Sequence, residues 1–156
     1  MKFAAVILIL LIILTGCKNM EQAETDIIYF ENGAETEIDL NSKEDQEKLI
    51  NLINELMLGT DDMLRLLVSQ DRIDQLKNEA SGIEVSFNNV IRLHSEELGD
   101  HDVKKILIPF SGEFVGDYND SMATIFLAND GYMSGPLRNT QGLPKVNEIK
   151  ELLLKN

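Results

Sequence analysis

His94, Glu96, Glu97, Asp100, His101 and Asp102 fall within nine residues of one another. Imidazole and carboxylate together are the donor set that folds round a divalent cation. Here the histidines are seven apart in what reads as a polar loop, and no recognised ligand spacing is met. A solvated connection is the simpler expectation, and no metal ligand is assigned. Asp117-Tyr118-Asn119-Asp120 opens like a calcium loop. It lacks the central glycine, however, and Ala128 stands where the twelfth-position glutamate belongs.

Other constellations fail on equally specific grounds. Gly131-Tyr132-Met133-Ser134-Gly135 places its serine fourth, whereas a nucleophile elbow needs it third, and both histidines precede the serine. Adjacent acids such as Glu96/Glu97 or Asp61/Asp62 are the residue type of a glycosidase pair. With 27 acids in the chain such neighbours arise by chance, and helix capping or solvation explains them better. No glycine-rich phosphate loop is present in the sequence, and no catalytic residue or cofactor is assigned. One segment carries a binding signature: Tyr132 to Asn139 pairs an aromatic and Met133 with Arg138, one of four arginines. Tyrosine and arginine recur in binding hot spots, so Tyr132 and Arg138 are the candidate binding residues. The competing expectation is that Tyr132 and Leu137 are core and Arg138 neutralises a nearby acid.

The strongest signal lies at the amino terminus. Lys2 precedes twelve uninterrupted apolar residues, Phe3 to Leu14, and Leu14-Thr15-Gly16-Cys17 follows with the single cysteine of the chain. A charged start, an apolar stretch and a small-residue boundary make a secretory signal peptide. Twelve residues are too few to span a bilayer, which takes ~20. The ending resembles the lipobox of bacterial lipoproteins. That resemblance implies cleavage between Gly16 and Cys17, loss of residues 1–16, and lipid on Cys17, with the membrane as a partner through that lipid. It also implies location in the bacterial cell envelope. Lys18 is not the Asp associated in some Gram-negative bacteria with inner-membrane retention, which favours the outer membrane where there is one.

Removal of residues 1–16 leaves 140 residues, of which 55 are apolar, enough for one folded domain with a real core. Loss of Lys2 leaves 13 basic against 27 acidic side chains, a net charge of −14. Such an excess argues against DNA, RNA or anionic headgroups as partners, since all are polyanions. With Cys17 acylated the domain has no thiol, so disulfides, cysteine-ligated zinc and thiol nucleophiles drop out. The expected role is therefore a non-catalytic binding or interaction domain with an envelope protein partner. The alternative is an envelope hydrolase using carboxylates or a metal at the 94–102 loop.

The elements that position these residues follow from pattern. Residues 17–25 read as a lipidated tether, and residues 26–156 as a single globular domain. Asn32-Gly33 predicts a type I′ hairpin, with Tyr29 opposite Thr36 and Ile27 opposite Ile38. Ser42 followed by Glu44 and Asp45 predicts a helix start, and Leu49, Leu52, Ile53, Leu56 and Met57 form its apolar stripe up to Gly59. Residues 60–80 read as a strand (63–68) and a helix restarted near Ser69, or as one helix. Two short strands are expected on either side of Asn88-Asn89, a longer one over 104–114, and another pair about Asn129-Asp130-Gly131. Pro144 opens a last helix with Val146, Ile149, Leu152 and Leu153 inward. The sum is an α+β domain, an antiparallel sheet with helices packed on one face.

Overall fold

The computed structural model describes residues 25–116 and 121–155. Gly16 and Cys17, like Asp117 to Asp120 of the calcium-like loop, lie outside them. Strands β1 (Thr25–Glu31) and β2 (Ala34–Glu37) form the hairpin in the expected register, Tyr29 facing Thr36. Asn32 (φ 49°) and Gly33 (φ 83°) take the left-handed conformations that the type I′ turn requires. Helix α1 (Lys43–Leu58) begins where Ser42 Oγ accepts the Asp45 N–H at 2.9 Å, and it buries the expected stripe. Strand plus helix is the outcome for 60–80, with a strand far shorter than expected. Strand β3 is only Asp62–Met63, and helix α2 (Gln70–Glu79) follows Ser69, its cap, with Ile73 and Leu76 buried.

Strands β4 (Ser81–Ser95), β5 (Gly99–Pro109), β6 (Ala123–Ala128) and β7 (Leu137–Asn139) precede helix α3 (Leu143–Leu154). All described pairings are antiparallel, in the order β2-β1-β4-β5-β6-β7-β3. Two expectations are corrected here. Asn88-Asn89 does not turn the chain. It forms an exposed bulge inside one long strand, where Ser86 to Ile91 of β4 stand against only Lys105 to Val103 of β5. The 94–102 segment is likewise no loop but the end of a hairpin, with His94 facing Asp100 and Leu93 facing His101. Polar residues on the outer face, including the Arg92–Asp102 pair at 2.7 Å, disguise these strands as a solvated connection.

The α+β class and single antiparallel sheet stand as expected, but the helices do not all share one face. On the first face α1 and α3 cover Ile83, Val85, Ile106, Ile108, Ile125 and Leu127. The bulge lets the outer half of the β4–β5 hairpin bend onto this layer, so Ile91, Leu93 and Val103 join its core and Glu96 N–H meets Leu58 O at 3.2 Å. On the second face α2 packs Ile73 and Leu76 against Phe30, Leu107 and Phe126. Strand β6 is buried along both faces, and a strand of that kind needs cover on each side of the sheet. Phe114, expected in a strand, instead folds over from the 110–116 loop and meets Phe126 edge-on at 4.9 Å. The hairpin turn also caps α2: the N–H groups of Asn32 and Gly33 donate to Ala80 O and Lys77 O at 2.9 and 3.0 Å. Among the described residues no helix is long and apolar enough to cross a membrane.

Candidate functional site

Strand geometry decides what the histidine-rich segment can do. Directly opposed residues share a face and successive residues alternate, so His94 and Asp100 stand on one face and Leu93 and His101 on the other. His94 Nδ1 lies 2.7 Å from Asp100 Oδ1 in an exposed pair. The two imidazoles therefore diverge, and no group of three metal-ligating side chains occurs among the described residues. The Asp61 carboxylate is engaged by Thr140, accepting from its N–H at 3.2 Å and from its hydroxyl. Glu96 and Glu97 sit at the tip of the hairpin.

Tyr132 and Arg138 lie on the second face but are not brought together. Tyr132 follows the turn after β6, bridges back to Ala128, and packs against the second core. Its hydroxyl donates to Glu84 of β4, passing over Lys105 of β5. Arg138 is on β7, opposite Asp62 of β3, with a 4.0 Å ion pair to that acid. The Arg138 Nε is buried and has no hydrogen-bond partner. Tyr132 thus serves the core, whereas Arg138 remains a partly exposed cation on β7, one strand in from the sheet edge.

The sequence reading missed the polar centre of this face. Glu84 is buried at 5% exposure between Ile83 and Val85. It accepts hydrogen bonds from Lys105 Nζ at 2.8 Å and from Tyr132, and Lys77 Nζ of α2 lies at 3.1 Å. Lys77 also donates to Glu35 of β2 at 3.0 Å. One carboxylate thereby ties together α2, β4, β5 and the 129–136 connection. Burial opposes ionisation of Glu84, yet the hydrogen bonds from Lys105 and Tyr132 and the charge of Lys77 outweigh it and hold its carboxyl below the usual range. Burial and the same carboxylate push the Tyr132 hydroxyl far up, so it stays protonated and donating. Burial likewise opposes the charge on Lys77, but bonds to Glu35 and Glu84 keep its ammonium above its ordinary value. Alternation along β4 hides Glu84: it shares a polar row with Ser86 and Asn88, as on a solvated face, and only the cover from α2 and Tyr132 buries it with its paired cations.

With both lysines and the tyrosine committed to Glu84, this cluster is a latch between elements. A pocket of about 130 Å³ lies between β1 and α1, lined by Asp26, Glu37, Asp39 and Gln46 among others. It is well below the ~300–1,000 Å³ usual for small-molecule sites. The remaining surface suited to recognition is the β3–β7 edge. There Arg65 neighbours along the chain Met63, Leu66 and Leu67, which are 44, 38 and 81% exposed, and Arg138 stands on the adjoining strand β7, opposite Asp62. Exposed aliphatic side chains and arginine are residue types that recur at recognition surfaces. No protein family, no curated protein and no solved structure matches this chain.

Proposed function

We propose that this chain is an envelope lipoprotein, cleaved after Gly16 and acylated on Cys17, that holds a non-catalytic binding domain against a membrane. The observation that carries this reading is the run Phe3 to Leu14 ending in Leu14-Thr15-Gly16-Cys17, with the single cysteine at the cleavage position. The first strand begins at Thr25, so only seven residues separate it from Cys17 and the domain works close to the bilayer. Acyl chains contribute roughly 0.8 kcal/mol per buried CH₂, so two or three chains anchor permanently. An envelope protein is the expected partner, bound through the second face of the sheet around Arg138 on β7.

Mass spectrometry of the protein purified from bacterial membranes tests the anchor. The expected amino-terminal peptide begins at Cys17 and carries diacylglycerol, and Cys17→Ser releases the protein from the membrane fraction. A mature protein beginning elsewhere, or an unmodified Cys17, refutes the anchor. Arg138→Glu tests the binding role: crosslinking in native membranes loses the partner while the domain keeps its melting temperature. Unchanged crosslinking refutes the assignment of Arg138.

A further inference from the structure

The two edges of the sheet differ in chemistry. Edge strand β2 presents Glu35 and Glu37, all four of its residues being exposed. The opposite edge strand presents Asp62, which Arg138 partners, and Met63, and the chain beyond it presents Arg65, Leu66 and Leu67. Neither Arg65 nor Leu67 makes a hydrogen bond or ion pair among the described residues, through backbone or side chain. An unpaired edge with exposed aliphatic side chains invites association, and proteins normally blunt such edges with charge or cover them.

Register places this edge relative to the anchor. Leu64 N–H donates to Pro136 O and Gly135 N–H to Leu66 O, at 2.8 and 2.9 Å, so the chain after β3 continues alongside the approach to β7. Met63 faces Leu137, and Leu137 faces Ile125. Three residues beyond Ile125, Ala128 faces Lys105, which faces Ser86, which faces Asp26. Leu66 and Leu67 therefore run towards the end of the sheet at which Thr25 enters β1. Five strand spacings separate β1 from β3, or ~24 Å at ~4.8 Å each. The eight-residue step from Cys17 to Thr25 reaches up to ~27 Å. A lipid on Cys17 can thus lie beneath the β3 edge.

We propose that Met63 to Leu67 is the face on which the anchored domain rests against the bilayer. Leu66 and Leu67 enter the boundary between headgroups and acyl chains, and Arg65 pairs with the phosphate of an anionic glycerophospholipid. In a domain of net charge −14 the acidic β2 edge is repelled from such headgroups, which turns the β3 edge inward. This inference rests on the acylation proposed above.

The chain contains no tryptophan, so single substitutions report position cleanly. Leu67→Trp and, as control, Glu31→Trp at the far end of β1 are made in the full-length acylated protein. Each is placed in vesicles of brominated phosphatidylcholine with phosphatidylglycerol. Indole emission of the Leu67→Trp protein is expected to shift to the blue and be quenched by the bromines, while that of Glu31→Trp stays as in water. Adding Arg65→Glu to Leu67→Trp lowers the docked population about fivefold or more. An acylated Leu67→Trp protein whose indole is unquenched overturns the docking and leaves the anchor standing. A blue shift of the same variant that depends on protein concentration without vesicles overturns it too, showing a second copy on this edge. An amino-terminal peptide without lipid removes the anchor and this inference together.

Discussion

Replacing Glu84 by Gln removes one charge and keeps the shape, and the consequence is calculable from the geometry. The carboxylate is 6% exposed and meets Lys105 at 2.8 Å and Lys77 at 3.1 Å. Breaking a buried pair typically costs ~3–5 kcal/mol, because a charge is left without compensation. Both lysines soften that figure: Lys105 is 37% exposed and reaches water, and Lys77 keeps Glu35 at 3.0 Å. The expected loss is therefore nearer the ~1.5–3 kcal/mol of a hydrogen bond to a charged group. Urea unfolding followed by far-ultraviolet circular dichroism measures it, with a slope of ~1–3 kcal/mol per molar. The folded-state pKa of Glu84 lies below its unfolded value. The gap between wild type and Glu84→Gln is then full above pH ~4.3, the unfolded value, and closes as the pH falls through the folded value. A gap under ~0.5 kcal/mol at pH 7, against ~1.5–3 expected for a charged hydrogen bond, refutes the latch. A gap equally wide at pH 3 and pH 7 refutes its ionic nature.

Other substitutions probe the frame around that latch. Gly82→Ala would place a Cβ 2.5 Å from Phe30 Cζ and 2.6 Å from Ile108 O, so β1 and β5 must move apart; a loss of several kcal/mol and protease sensitivity of β1 are expected, about the scale of overpacking a core. Asn139→Ala deletes the bond from Nδ2 to Leu56 O at 2.9 Å and that from Gln141 N–H to Oδ1 at 3.0 Å. It should cost ~1–3 kcal/mol by leaving a buried carbonyl bare, visible as a lower thermal midpoint. Phe126→Ala empties the centre of the second face, where Phe114 and α2 meet; a loss of ~3–5 kcal/mol is expected, with hydrogen exchange rising first in α2. Gly33→Ala strains a residue at φ 83° whose N–H caps α2. A loss of ~1 kcal/mol is expected, measured by the shift in the urea midpoint.

How far the fold could be read from sequence depended on whether local chemistry and tertiary structure agreed. At Asn32-Gly33 they do: turn residues, alternation and register all select one pairing, and Tyr29 faces Thr36 as a result. Ser42 and Ser69 announce helices because an N-cap acts within four residues. Asn88-Asn89 misleads because a bulge uses the same residue types as a turn, and only the partner strand distinguishes them. His94 to Asp102 resembles a loop because its charges pair across the strands, which no local pattern displays. The second face was invisible for a similar reason: its cover comes from Phe114 and α2, far from Phe30 in sequence. Arg138 was visible as an arginine in the same short segment as Tyr132 and Met133, whereas Glu84 acquires its meaning only when Lys77, Lys105 and Tyr132 arrive.

The position of β1 in the sheet has a mechanical consequence. It is hydrogen-bonded on both sides, to β4 over seven residue pairs from Thr25 to Glu31 and to β2 over four. A pull on the amino terminus of the domain acts along the strand axis and loads the β1–β4 bonds in parallel. An edge strand peeled from its end would yield them one at a time. Tension that enters through Thr25 is thus borne in shear, and the domain resists being drawn apart from its amino-terminal end.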